Sequence, residues 1–417
     1  MNGGTAFNST YVSAFMEHEG VEKSRISLKD MLNLFVVAPH TASFIGDSLK
    51  LIAREVASIN VAIPVPFVPK LLQRTSRFSD HEKLVRLIQN NPVDGTARCV
   101  IKYPLLPFDW SKKRSGRLIS GRLLKIIDSS CLVPNFLHAH FLHPCGHAAV
   151  FLKDKLKIPL VITAHGQDVY SMPFLDSEWK NIALECISSA DKIITVCEKN
   201  KDILVSLGAK SSDIQVIPNG YDPELFYPRN KAACRSFLGL SKSSRLLLFV
   251  GNLLKEKGIF DLLQAFKSVS QKDSGLCLVI VGSGRLCGEV QKWVLENNLS
   301  SKVFLVGDRP HSEIPVWMNA CDLLVLPSYR EGFPTVIVEA MACGLPVLST
   351  SVGGIPEAIS EDYLGALVTH GDVQGLADQI LTCLSSSYSR ELIVNHSKQF
   401  EWPSLCRKTL SLYETLC

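Results

Sequence analysis

No apolar run in this chain approaches the ~20 residues needed to cross a bilayer. The stretch from Met31 to Ala38 has only eight residues and reads as a strand. No signal peptide is evident at the start. Neither a Cys-x-x-Cys nor a His-Glu-x-x-His pattern occurs, so zinc-ribbon and metalloprotease readings have no support. The 13 cysteines are scattered among aliphatic residues without paired spacing. Reduced, buried thiols and a cytoplasmic location are therefore expected. With 46% hydrophobic and 20% charged residues over 417 positions, the composition is that of a globular protein long enough for two domains.

The net charge of +4 hides an asymmetry, because residues 50–127 hold 15 Lys and Arg against 5 Asp and Glu. The densest part, Lys112-Lys113-Arg114 with Arg117, Arg122 and Lys125, is interleaved with Leu118, Ile119, Leu123, Leu124, Ile126 and Ile127. Residues 112–127 thus read as a basic amphipathic helix, and an anionic membrane surface is one candidate partner. The alternative is an ordinary helix with a solvated basic face. Neither a recognition motif nor interleaved aromatics accompanies the charge, which argues against nucleic acid.

Periodicity gives a repeated alternation of strand and helix, the mark of parallel sheets covered by helices. Residues 1–31 read as an extension. Strands are expected at Leu32–Ala38 and Ile59–Val65, with a loop over Pro39–Asp47 and a helix over Ser48–Ala57. The proline-rich segment 64–109 is expected to be mostly loop. Further strands fall at Phe136–Phe141, Leu160–Ala164, Lys192–Val196 and Ile214–Ile217. The turn cluster Pro218–Pro223 separates a first unit, 32–222, from a second, 223–399. The second repeats the alternation, with strands at Leu246–Val250, Leu276–Val281, Val303–Val306 and Leu323–Leu326. In doubly wound sheets, ligands bind beyond the carboxyl ends of the strands, where His165, Gly251, Gly282 and Glu331 all fall.

One stretch organises the rest. Glu331-Gly332-Phe333-Pro334 forms a turn, and a short helix then runs to a glycine stop at Gly344. Its first residues, Thr335, Val336 and Ile337, offer backbone N–H groups that no helical turn can satisfy, and such an end binds phosphate. Glu331 and Glu339 flank it. Elsewhere, Gly251–Gly258 reads as a glycine turn leading to a helix start and contains Lys257. Val281-Gly282-Ser283-Gly284 permits close backbone approach after a strand. His165 ends a strand just before Gly166, with Asp168 close behind. His138, His140, His143 and His147 lack partners at metal-ligand spacing, so packing and cleft lining are preferred to zinc.

Glu331 and Glu339, with Gly-Phe-Pro after the first and Ala-Met-Ala-Cys-Gly-Leu-Pro-Val after the second, resemble the donor-site signature of family 4 glycosyltransferases of GT-B fold. Ser351–Ile359 extends the likeness. The resemblance implies an α/β fold of two Rossmann-like doubly wound domains facing a central cleft, the last helix (400–417) crossing back to the first domain. It implies an enzyme moving a sugar from a nucleotide diphosphate sugar, UDP-linked by expectation, to a lipid-linked or polysaccharide acceptor. Configuration would be retained and neither metal nor cofactor required.

On that likeness the donor would be bound by Gly251, Asn252, Lys257, Gly282, Gly284, Arg309, Pro334, Thr335, Val336 and Glu339. Glu339 would take the ribose hydroxyls, and Gly307–Pro310 the base. Asn252 departs from the family's arginine, and a neutral amide gives no bidentate charged contact to phosphate. His165 and Glu331 would sit at the donor sugar, in catalytic positions. Asp168 would orient His165 or meet the acceptor, and Gly46 would lie on the acceptor side. A UDP-sugar 2-epimerase of the same fold and a non-catalytic sugar- or nucleotide-binding partner are the alternatives. Peripheral attachment at the inner face of the cell membrane is compatible with all of this.

Overall fold

The structure, a computed structural model, describes residues 27–40, 44–67, 93–106, 108–130 and 132–417. Seven strands form the first sheet: β1 (Asn33–Val37), β2 (Ser58–Phe67), β3 (Ala97–Pro104), β4 (Phe136–His140), β5 (Leu160–Ala164), β6 (Lys192–Thr195) and β7 (Ile214–Val216). Their order is β3-β2-β1-β4-β5-β6-β7, every pairing parallel. The second sheet holds β8 (Arg245–Val250), β9 (Leu276–Val281), β10 (Val303–Gly307), β11 (Leu323–Leu326), β12 (Val347–Thr350) and β13 (Gly365–Val368). Its order is β10-β9-β8-β11-β12-β13, again all parallel. Two Rossmann-like domains therefore make up the molecule. The central strands are buried on both faces, as β4, β5, β11 and β12 show along their whole length.

The strand order reverses between β1 and β4 in the first sheet and between β8 and β11 in the second. Crevices open at such reversals, and here both open toward the same cleft. One side of the first sheet is covered by α2 (Ser115–Ser129), α3 (His147–Leu156) and α4 (Ser177–Ser189). On the other side lie α1 (Phe44–Ile52) and α7 (Trp402–Glu414), the last helix. Trp402, Leu405, Leu412 and Tyr413 of α7 pack into this first-domain core. The second domain is built around α5 (Ile259–Lys272) and α6 (Thr335–Ala342).

Two sequence expectations need correction. The helix after β1 starts at Phe44, four residues before the expected Ser48, and ends at Ile52 rather than Ala57. Its apolar residues Ile45, Leu49 and Ile52 face the core, which anchors the earlier turn. Gly46 is consequently a buried helical residue and not part of a loop; Thr41–Ser43 lie outside the described residues. The segment expected to be loop contains β3 and the end of β2, including Pro64 and Pro66. Prolines fit there because β1 pairs only as far as Ala62. Ala62 points its carbonyl toward the β1 side, accepting from Ala38 N–H. Pro64 and Pro66 share its parity, so their missing N–H groups lie where β1 has ended.

Candidate active site

The loops that leave β8, β9 and β10 hold one another. Gly251 N–H donates to Val281 O (3.0 Å) and Gly282 N–H to Gly307 O (2.9 Å). After β8, a short turn Lys255–Lys257 leads to Gly258, whose φ is +66°. A Cβ on Gly258 would lie 1.9 Å from Pro327 O, so only glycine lets this turn press against the loop after β11. Tyr329 N–H donates to Glu256 O (2.8 Å) and completes that contact.

This packing brings Lys257 to Glu331. The ammonium donates to Glu331 Oε1 at 2.6 Å, and Ser328 Oγ donates to the same oxygen at 2.7 Å. Glu331 is only 9% exposed. Beside them α6 begins at Thr335, with Pro334 at its cap and no capping side-chain bond. Lys257, Glu331, Pro334, Thr335, Val336 and Glu339 line one cleft of about 630 Å³, with Gly251, Asn252, Gly282 and Arg309. Asn252 is exposed at its edge. Gly284 packs under this loop, since a Cβ there would meet Leu253 O at 2.5 Å.

The first domain supplies the opposite wall. His165, Gly166, Tyr170, Phe44 and Phe141 line the same cleft. The His165 ring is packed by Phe141 (centroids 4.5 Å apart) and Phe44 (5.1 Å). Burial, with the neighbouring imidazoles, pushes the His165 pKa down to about 3, so the ring is neutral at physiological pH. Asp168 is 5% exposed and accepts from the backbone N–H groups of Leu142 (2.9 Å), Gly166 (2.7 Å) and His165 (3.1 Å). Its carboxylate therefore shapes the His165 loop. Gly46 is not among the cleft-lining residues.

The two walls touch at the floor. Asn219 Nδ2 donates to Phe333 O (3.0 Å), and Glu198 N–H donates to Glu357 Oε1 (2.9 Å). A Cβ on Gly332 would sit 1.9 Å from His165 O. Glycine at 332 thus lets the Glu331 loop lie directly on the histidine loop.

Three further residues were not picked out from the sequence. Arg330 lines the cleft beside Glu331, and its adjacency to the motif was a usable signal. His311 Nε2 meets Glu339 Oε1 at 2.9 Å. Burial alone would lower the His311 pKa, but the bond and charge of Glu339, with Asp47 and Asp222, hold it above its usual value. Asp47 on α1 is pushed up to about 6 by burial, against the pull of His311. His140, expected from the sequence to pack or line the cleft, lies behind it and shares a hydrogen bond with His165, Nδ1 to Nε2 at 3.0 Å. Long-range contacts of this kind leave no local pattern in the sequence.

A cleft between two Rossmann-like domains, with a lysine and a helix end on one wall, is the architecture of the GT-B class, and the comparisons agree on that fold. Residues 89–225 match glycosyltransferase family 4, and residues 230–400 match glycosyl transferases group 1. A Bacillus subtilis protein bearing the name of a teichuronic acid biosynthesis glycosyltransferase is 31% identical over 77% of this chain and 79% of its own length. N-acetyl-alpha-D-glucosaminyl L-malate synthase of Bacillus anthracis is 29% identical over 68% of this chain and 74% of that one. Among solved structures, Anabaena HepE in complex with UDP superposes with a TM-score of 0.71 at 20% identity, covering 93% of this chain and all of HepE. The chain belongs to the family 4 glycosyltransferases of GT-B fold. It is a glycosyltransferase.

Proposed function

We propose that this enzyme transfers a sugar from a UDP-linked donor to a lipid-linked or polysaccharide acceptor, with retention of configuration and no essential metal. The observation that carries the reading is the Lys257–Glu331 pair beside the open end of α6, facing His165 across the cleft. Lys257 and the first N–H groups of α6 take the diphosphate. Arg330 and Arg309 add positive charge near the position where Asn252 offers none. Glu339 receives the ribose. A UDP donor is supported by HepE, solved with UDP and with UDP-glucose. An envelope glycan acceptor is supported by the name of the Bacillus subtilis relative.

In the reaction, the bond from the anomeric carbon to the phosphate oxygen breaks as the acceptor oxygen attacks from the same face. The acceptor proton passes to the departing phosphate oxygen. Neutral His165 and the carboxylate of Glu331 stabilise the charge that develops on the sugar. Contact between the two walls excludes water and favours transfer over hydrolysis.

We also propose peripheral attachment to an anionic membrane, through a surface different from the helix face drawn from sequence. Lys113 is buried and ion-paired with Asp109, Asp176 and Glu178. Around that knot Phe108, Trp110, Phe174 and Leu175 are all at least half exposed, next to exposed Lys112 and Arg114. No helix among the described residues is long and apolar enough to cross a membrane.

The test is incubation with labelled UDP-sugars and a lipid extract. A labelled lipid product supports the reading, and the anomeric configuration of that product tests retention. Isomerised donor would instead mean an epimerase, and binding without turnover a non-catalytic partner. Full transfer in EDTA is expected; loss restored by a divalent ion would remove metal independence.

A further inference from the structure

Three imidazoles, His138, His140 and His165, stand in a row, and only His165 lines the cleft itself. His138 is satisfied at both ring nitrogens, Nδ1 by the Tyr413 hydroxyl (2.6 Å) and Nε2 by the Thr163 hydroxyl (2.7 Å). His140 stacks on it with centroids 4.5 Å apart and uses Nδ1 for His165 Nε2. His140 is 5% exposed, yet its Nε2 has no partner among the described residues. The same holds for the indole N–H of Trp402, at the start of α7. Both side chains line one small cavity of about 40 Å³ between the first sheet and α7.

A buried polar atom without a partner costs about 1–3 kcal/mol. One water needs roughly 10–15 Å³ of such space, so the cavity accommodates it. Trp402 can only donate. A water accepting from the indole has its own hydrogens to place, and the unpartnered Nε2 of His140 lies on the same cavity to take one. With a lone pair on Nε2, His140 carries its proton on Nδ1 and donates it to His165 Nε2. Neutral His165 then holds its one proton on Nδ1, a buried ring nitrogen that has no partner among the described residues.

We propose that His140 is a positioning residue: with a water held between it and Trp402, it fixes His165 as the Nδ1–H tautomer, a hydrogen-bond donor to a donor-sugar hydroxyl. The consequence for transfer rests on His165 touching the sugar, as in the proposed function; the tautomer itself does not. The backbone fixes the indole's place at the chain crossover, since the main-chain N–H of Trp402 donates to Tyr221 O (3.1 Å).

The full chain, labelled with ¹⁵N-histidine and free of ligand, tests this. Long-range ¹⁵N–¹H correlation separates protonated from unprotonated ring nitrogens, and His165→Gln assigns the signals. The expected result is Nδ1 protonated and Nε2 bare in His165, unchanged from pH 5.5 to 8. His140→Asn keeps an N–H donor near the same place and should preserve that pattern, while His140→Leu should release a tautomer mixture. Trp402→Phe, which keeps the ring, should also loosen it. With the UDP-sugar selected by the transfer assay, His140→Leu should lower kcat about tenfold, one hydrogen bond's worth, at nearly constant donor KM, and His140→Asn should restore most of it. A proton on His165 Nε2 in the wild type would overturn the proposal. So would an Asn variant as impaired as the Leu variant when both unfold like wild type. Full transfer by His165→Ala would remove the sugar contact instead, leaving the tautomer result standing.

Discussion

Asp47 gives the sharpest quantitative consequence of the cleft's electrostatics. It sits on α1, mostly buried, facing His311, Asp222 and Glu339, with Lys50 on its own helix. Burial raises its pKa from 3.8 to about 6. In the unfolded chain the carboxyl loses its proton near pH 4; in the fold it holds on for about two units more. Stability from the neutral form is therefore fully present below about pH 4 and is lost as pH rises through about 6. At ~1.36 kcal/mol per unit, the ionised residue costs the native state on the order of 3 kcal/mol above pH 7. Asp47→Asn removes that titration, so the variant should exceed wild type by about 2–3 kcal/mol at pH 8 and by little at pH 4. Urea midpoints for both proteins across this range measure the gap. A gap that stays flat, or narrows as pH rises, would refute the reasoning.

Lys257→Ala and Glu331→Ala should each fold normally and lose about 10²–10³-fold in transfer, as expected when a preorganised charge is removed; near-normal turnover in either would withdraw its role. Gly332→Ala should wedge the Glu331 loop off the His165 carbonyl, which a Cβ would approach to 1.9 Å. Its radius of gyration by X-ray scattering should rise while each domain stays folded, and an unchanged profile with full activity would contradict the contact. Trp110→Ser combined with Leu175→Ser should reduce sedimentation with phosphatidylglycerol vesicles severalfold without changing donor binding. Equal sedimentation would rule out that surface.

Much of the fold could be read in the sequence because parallel α/β sheets write their strands as continuous apolar runs. The strands at Leu276–Val281 and Leu323–Leu326 lie where the periodicity put them. The β3 region escaped because its burial alternates and prolines surround it; its strand character comes from pairing with β2 along eight residues. The donor wall was legible because Glu331, Pro334, Thr335 and Glu339 are neighbours in sequence. Lys113 was misread as a membrane-facing charge because its three acidic partners include two residues over 60 positions away. The His140–His165 bond and the approach of Asp47 to His311 depend likewise on which strands and helices end side by side.

The distribution of charge between the two walls bears on how the departure at Asn252 is tolerated. Apart from Asp47, which lies behind the lining, the first-domain side carries little charge: His165 is neutral, Phe44 and Phe141 pack its ring, and Asp168 is turned inward onto backbone N–H groups. The second-domain wall holds Lys257, Arg309, Arg330, Glu331 and Glu339. A diphosphate is drawn to the second wall, while a sugar ring lies well against the first, which offers aromatic surface and few ionised groups. In the structure Lys257 is bound to Glu331, so an arriving phosphate must share the ammonium with that carboxylate. An arginine at position 252 would contribute charge already formed, whereas Arg330 sits next to the very glutamate that competes for Lys257. Arg330→Gln should therefore weaken UDP binding more than Asn252→Ala does, by titration calorimetry at low salt. The reverse order would place the phosphate on the β8 loop and away from α6.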